Sequence, residues 1–96
     1  MLNRQSIQER RQAVLEVASR HGAESVRVFG STARGEARED SDLDLIVHFE
    51  PGRSLLDHGG LLMDLRELLG MDVDVIDEEA MDARFREHVL KEAFPL

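Results

Sequence analysis

The sequence predicts an α/β (α+β) fold: a small mixed β-sheet of three or more strands with helices packed on one face. Three observations carry this. Ser25–Phe29, Asp42–Phe49 and Met71–Ile76 alternate polar and apolar side chains with the period of two that a half-buried strand requires. Around them, apolar residues recur at three- and four-residue spacing, the mark of helices with one buried face. Finally, 96 residues without a linker, repeat or low-complexity stretch are enough for one core, so residues 1–96 are expected to form a single domain.

The elements follow in chain order. Ser6 and Glu9 have the spacing of a capping box, and Ile7, Val14, Leu15 and Ala18 then mark one face of a helix from about Ser6 to Arg20. His21-Gly22 stops it, and the first strand runs to Phe29, where Gly30 ends it sharply. In the second strand Leu43, Leu45, Val47 and Phe49 face one way, while Asp42, Asp44, Ile46 and His48 face the other. Pro51-Gly52 breaks that strand. Ser54 then caps a helix built on Leu55, Leu61, Leu62, Leu65 and Leu68 or Leu69. Gly59-Gly60 weakens its start, since each interior glycine costs about 1 kcal/mol; the helix either begins after Gly60 or has a loose first turn. Gly70 closes it, and Val73 and Val75 face away from Asp72, Asp74 and Ile76 in the third strand. Glu78–Ala93 carries Met81, Phe85, Val89 and Leu90 at helical spacing and ends at Pro95.

Composition narrows the function. The formal charge is −8, from 20 acidic against 12 basic residues, which argues against general nucleic-acid binding through phosphate neutralisation. No cysteine is present, so disulfides, thiolate zinc sites and a catalytic thiol are excluded. No signal core or membrane-spanning run occurs, and a soluble, cytoplasmic protein is expected.

The chemistry concentrates between Phe29 and Val47. Two residues along a strand separate Cα atoms by roughly 6.5–7 Å, so the Asp42 and Asp44 carboxylates project to one side at a spacing suited to a shared metal ion. Asp74 occupies the corresponding face of the third strand. If the strands are neighbours, three carboxylates converge, and three like charges repel unless a divalent cation lies between them. Ligands that are all oxygen favour Mg²⁺ or Mn²⁺ over zinc. Gly30-Ser31 lets the backbone approach a ligand closely, and Thr32-Ala-Arg34 can open a short helix with free N–H groups. Two familiar motifs fail here. Gly30 to Gly35 has Walker A glycine spacing, but Glu36-Ala37 replace the required Lys and Ser or Thr. Asp40, Asp42 and Asp44 imitate an EF-hand, but Leu45 replaces its glycine and Pro51 its glutamate. His21, His48, His58 and His88 have no ligand spacing, although His48 shares the Asp42/Asp44 face. Met63, Met71 and Met81 are expected in or over the core, and Asp77-Glu-Glu at a solvated helix start.

Gly30-Ser31, Asp42-x-Asp44 on a strand and a later strand Asp74 together resemble the signature of the polymerase-β-like nucleotidyltransferase superfamily. A chain ending soon after Val-Asp-Val-Ile resembles its minimal (MNT) branch. The resemblance spans nearly the whole chain. It implies transfer of a nucleoside monophosphate, AMP from ATP, to a hydroxyl, with pyrophosphate leaving. Gly30 and Ser31 match the triphosphate-contacting pair, and Asp42 and Asp44 the metal-binding pair. Asp74 matches the third carboxylate, which holds the metal at the nucleophile and helps remove its proton. Two Mg²⁺ or Mn²⁺ ions are implied. Arg34 is assigned a triphosphate or structural contact; the plainer alternative is a surface ion pair with Asp40 or Glu36. Minimal members resemble antitoxins that add AMP to a tyrosine of a HEPN-domain ribonuclease toxin, and this chain has no tyrosine of its own. Two other functions stay open: an antitoxin acting by complex formation alone, and nucleotidylation of a small molecule such as an aminoglycoside, with a homo-oligomer building the acceptor pocket.

Overall fold

The computed structural model describes residues 3–96. They form a four-stranded mixed sheet in the order β3-β2-β1-β4, from β1 (Ala23–Phe29), β2 (Leu43–Phe49), β3 (Val73–Asp77) and β4 (Phe94–Pro95). β1 pairs antiparallel with β2 and with β4, whereas β2 and β3 are parallel. Parallel neighbours need a crossover, and α4 (Leu55–Leu69) supplies it. The other helices are α1 (Arg4–Glu9), α2 (Arg11–Arg20), α3 (Ser31–Arg34) and α5 (Ala83–Glu92).

The period-two pattern sets the layers. Val26, Val28, Leu43, Leu45, Val47, Val73 and Val75 join one buried cluster with Ile7, Val14, Val17 and Ala18 of α1 and α2 and Leu61 and Leu65 of α4. Hydrophobic burial therefore fixes α1, α2 and α4 on one sheet face. The opposite face carries Arg27, Phe29, Asp44, Ile46, His48, Asp74 and Ile76. A 3-10 turn at Glu78–Ala80 and α5 lie against its far half, where Ile46 and Val89 are buried outside the main cluster.

Several boundaries differ from the expectation. The first helix is two, meeting at Arg10, whose guanidinium donates to the Leu68 carbonyl at 2.8 Å. Its capping box is Asn3 with Ser6, so Ser6 is the third residue of the cap rather than the first, and Glu9 is uninvolved. The Glu78–Ala93 segment divides likewise: Asp77 caps the 3-10 turn, Asp82 caps α5, and Phe94–Pro95 leaves the helix to pair with β1. Phe85 is half exposed, leaving Val89 as the buried residue of α5. Met63 is an exposed residue and not a core one.

α4 runs unbroken through Gly59-Gly60. Ser54 caps it as expected, with Asp57 completing the box, and Gly70 ends it at φ +65°. The two glycines have different reasons. A Cβ on Gly60 would lie 2.8 Å from the His21 ring, which bonds Asp64 at 2.6 Å, whereas Gly59 faces open space. Gly59→Ala should therefore stabilise the fold by about 1 kcal/mol through helix propensity, raising Tm by several degrees. Gly60→Ala should lose most of that gain by displacing His21. Thermal unfolding of the two variants checks this.

Candidate active site

The register of β2 and β3 builds the site. Asp44 is the direct partner of Asp74, and Leu43 of Val73, so the two aspartates share a face at adjacent positions. Adjacent strands lie about 4.8 Å apart, which brings the carboxyls together. A protonated Asp44 is within hydrogen-bonding reach of Asp74. Asp42 stands just before β2 and adds its charge to the same group. Of the three aspartates singled out in the sequence, Asp44 and Asp74 are thus direct partners, and Asp42 lies near enough for its charge to act on Asp44.

The electrostatics follow. Asp44 is pushed up from 3.8 to about 6, first by burial and then by the charges of Asp74 and Asp42, while Arg34 pulls the other way. No ion pair among the described residues involves Asp42, Asp44 or Asp74. Asp44 is partly buried while Asp42 and Asp74 are exposed; a half-buried carboxylate crowded by like charges is costly, and oxygen-only donors suit a hard divalent ion. The residues fit such an ion chemically. As they stand, no three acidic or imidazole groups among the described residues are drawn in tightly enough to enclose one.

Gly30 completes the geometry. Its φ of +74° lies in the left-handed region, and β1 Phe29 pairs with Asp44 just before it. A Cβ built on Gly30 would collide with the Asp44 carboxylate, with Asp44 Cγ at 3.3 Å. Glycine is thus needed twice, for the turn and for room beside the carboxylate. Ser31 opens α3 directly after it, and Thr32 and Ala33 anchor that turn in the interior.

Arg34, at the end of α3, is held by two carboxylates. Its Nε donates to Glu36 at 3.1 Å and its Nη1 to Glu92 at 2.8 Å. These partners raise its already high pKa. Glu36 was a foreseeable partner; Glu92 is not, because only the fold brings α5 to α3. His48 lies further along the open face, facing Glu78 at 3.3 Å, Glu24 at 3.5 Å and Glu79 at 3.8 Å. Buried Glu78 also meets Arg27 and Arg86, each at 3.6 Å. His48 is thus engaged with carboxylates away from the three aspartates. Sequence spacing carries no signal for the Glu78 group, whose members come from β1, β2, the 3-10 turn and α5. A cavity of about 560 Å³ is lined by Thr32, Ser41, Arg10, Arg38, Leu69 and Met71.

The family profile for the nucleotidyltransferase domain matches residues 10–96, which contain all of these groups. The chain belongs to the nucleotidyltransferase family. A protein adenylyltransferase of Thermococcus cleftensis, MntA, is 42% identical over 77 residues, covering 80% of this chain and 78% of its own. A solved structure described as a candidate minimal nucleotidyltransferase is 57% identical, covers 99% of this chain and 97% of its own, and superposes with a TM-score of 0.89. The fold alone extends to an MNT antitoxin of Shewanella oneidensis, solved in complex with a tri-AMPylated HEPN toxin. There the TM-score is 0.69 at 17% identity, over 92% of this chain and 69% of that one. The expected nucleotidyltransferase fold and minimal branch are thus borne out. Enzymes of this family generally depend on a divalent metal. No helix among the described residues is long and apolar enough to cross a membrane.

The raised Asp44 value sets a pH dependence. A carboxyl whose pKa is higher folded than unfolded contributes stability that is complete below about 4 and lost as pH rises through about 6. Without metal the nucleotidyltransferase should thus be more stable at pH 4.5 than at pH 7, by about 1–2 kcal/mol after solvent screening. Asp44→Asn should flatten this slope, and millimolar Mg²⁺ should recover stability at pH 7 in the unsubstituted chain only. Thermal scans across pH, with and without Mg²⁺, measure all three effects.

Proposed function

We propose that this nucleotidyltransferase moves AMP from ATP to a hydroxyl on a partner protein, and that the partner is a HEPN-domain toxin which the modification inactivates. The observation that carries the reading is the Asp44–Asp74 pairing with Asp42 alongside and Gly30 cleared of side chain next to it. Ligands of high negative charge belong where carboxylates are gathered only if cations are shared between them. The relative named as a protein adenylyltransferase supports AMP transfer to protein, and the antitoxin with the same fold supports the toxin as acceptor. The absence of tyrosine in this chain fits an acceptor on a second protein.

In this reading Asp42, Asp44 and Asp74 hold two divalent ions, Mg²⁺ or Mn²⁺, which when bound supply charge stabilisation to the attacking and leaving oxygens. The chain's own groups do the rest. The Gly30-Ser31 backbone and the Ser31 hydroxyl receive the triphosphate, and Arg34 neutralises part of its charge. Asp74, on the edge strand, faces the acceptor and takes the proton of the attacking hydroxyl. The new bond joins the acceptor oxygen to the α-phosphorus; the bond from that phosphorus to the α–β bridging oxygen breaks, and pyrophosphate departs with the electron pair.

Incubation with a HEPN partner, Mg²⁺ and ATP labelled at the α-phosphate should place label on a partner tyrosine. Asp44→Asn should reduce the rate by at least about 100-fold. Label on neither protein would overturn the reading. Equal neutralisation of the toxin by the Asp42→Asn and Asp44→Asn proteins would instead identify complex formation as the antitoxin mechanism.

A further inference from the structure

Arg34 closes the short helix that Ser31 opens, and two of its five N–H donors, on Nε and Nη1, are already engaged by carboxylates. Glu36 lies two residues away on the same turn and moves with Arg34; its side chain is 65% exposed. Glu92 is different. It comes from the last turn of α5, is only 28% exposed, and makes the shorter contact at 2.8 Å. α5 itself is lightly attached. Residues 83–88 are all exposed, Val89 is its one buried side chain, and near its start Arg86 meets Glu78 at 3.6 Å. Besides the packing of Val89, the helix is held by one charged contact towards each end, and the contact at its C-terminal end uses Arg34. A guanidinium fork donates to carboxylate and phosphate oxygens in the same geometry, so the two compete for it.

We propose that Glu92 gates the nucleotide site: its carboxylate occupies the Arg34 donors that a triphosphate takes, and ATP binding exchanges the Arg34–Glu92 pair for an Arg34–phosphate contact, releasing the end of α5. This rests on the reading of Gly30, Ser31 and Arg34 as triphosphate contacts. The influence of Arg34 on Asp44 places its charge within the field of the same site. A more highly charged triphosphate displaces a single, partly exposed carboxylate, and ATP affinity is reduced by whatever the displaced pair was worth. For an ion pair of this exposure the reduction is at most about fivefold. Because β4 follows α5 directly and pairs with β1, the exchange loosens the segment that joins the open sheet face to the sheet edge. Glu92 is a positioning residue in this scheme and touches no reacting atom.

The test is equilibrium binding of a fluorescent, non-hydrolysable ATP analogue with Mg²⁺ to the full chain. Glu92→Gln should tighten binding about two- to fivefold, and Glu92→Asp should give a smaller gain. In an Arg34→Gln background, Glu92→Gln should give no gain at all. Amide exchange over residues 88–93 should rise when the unsubstituted chain binds the analogue. Unchanged or weaker binding by both Glu92 variants, or a gain that persists without Arg34, would overturn the gate while leaving the nucleotide site intact. Failure of the unsubstituted chain to bind the analogue would overturn the site reading itself.

Discussion

The parallel pairing of β2 with β3 sets Asp44 beside Asp74, and the open side of the sheet is arranged around that juxtaposition. A hydrophobic face cannot tell one register from a slip of two, since both keep valines inward. The covering helices remove that freedom. α4 leaves β2 at a capped start and delivers the chain to β3 through the Gly70 turn, with Leu61 and Leu65 fully buried between. Burial on one face thus holds two mutually repelling carboxylates together on the other. The destabilisation appears in Asp44, whose proton is retained to about pH 6.

Elsewhere the acid excess is handled by arginine. Arg53 bridges Glu50 and Asp57, Arg34 bridges Glu36 and Glu92, and Arg27 and Arg86 flank Glu78. Each of these groups joins segments that the chain must hold in place: the β2–α4 turn, α3 with α5, and the 3-10 turn with the sheet. Among the described residues the three aspartates have no such ion-pair partner. The contrast separates carboxylates that organise the fold through arginine from carboxylates that no arginine pairs with among the described residues.

The sequence made the fold legible where burial is one-sided. Alternation in Val73-Asp-Val and Leu43-Asp-Leu fixed both strand faces, and from those faces came the pairing of Asp44 with Asp74. Gly30 was legible as a turn, but its proximity to Asp44 required the β1–β2 register. Arg10 and Asp82 were missed as element boundaries because a helix that changes direction keeps its apolar spacing on both sides of the break. Gly59-Gly60 misled for the opposite reason: propensity disfavours the pair, and packing of Leu61 and Leu65 outweighs it. The contacts of Glu92 and Glu78 had no local signature at all, since they join residues far apart in sequence.

β4 is only two residues long, and Pro95 cannot donate to another strand. At the opposite border, β3 carries Asp74 and Asp77, with Asp72 just before it. Both rims of the sheet are thereby poor templates for a foreign strand, one by brevity and one by charge. Asp74 accordingly has a second role besides its place among the carboxylates, as a guard against edge-to-edge polymerisation. Removing its charge from a strand flanked by valines exposes the chain to self-association, so the solubility of an Asp74 variant belongs beside its activity in any comparison.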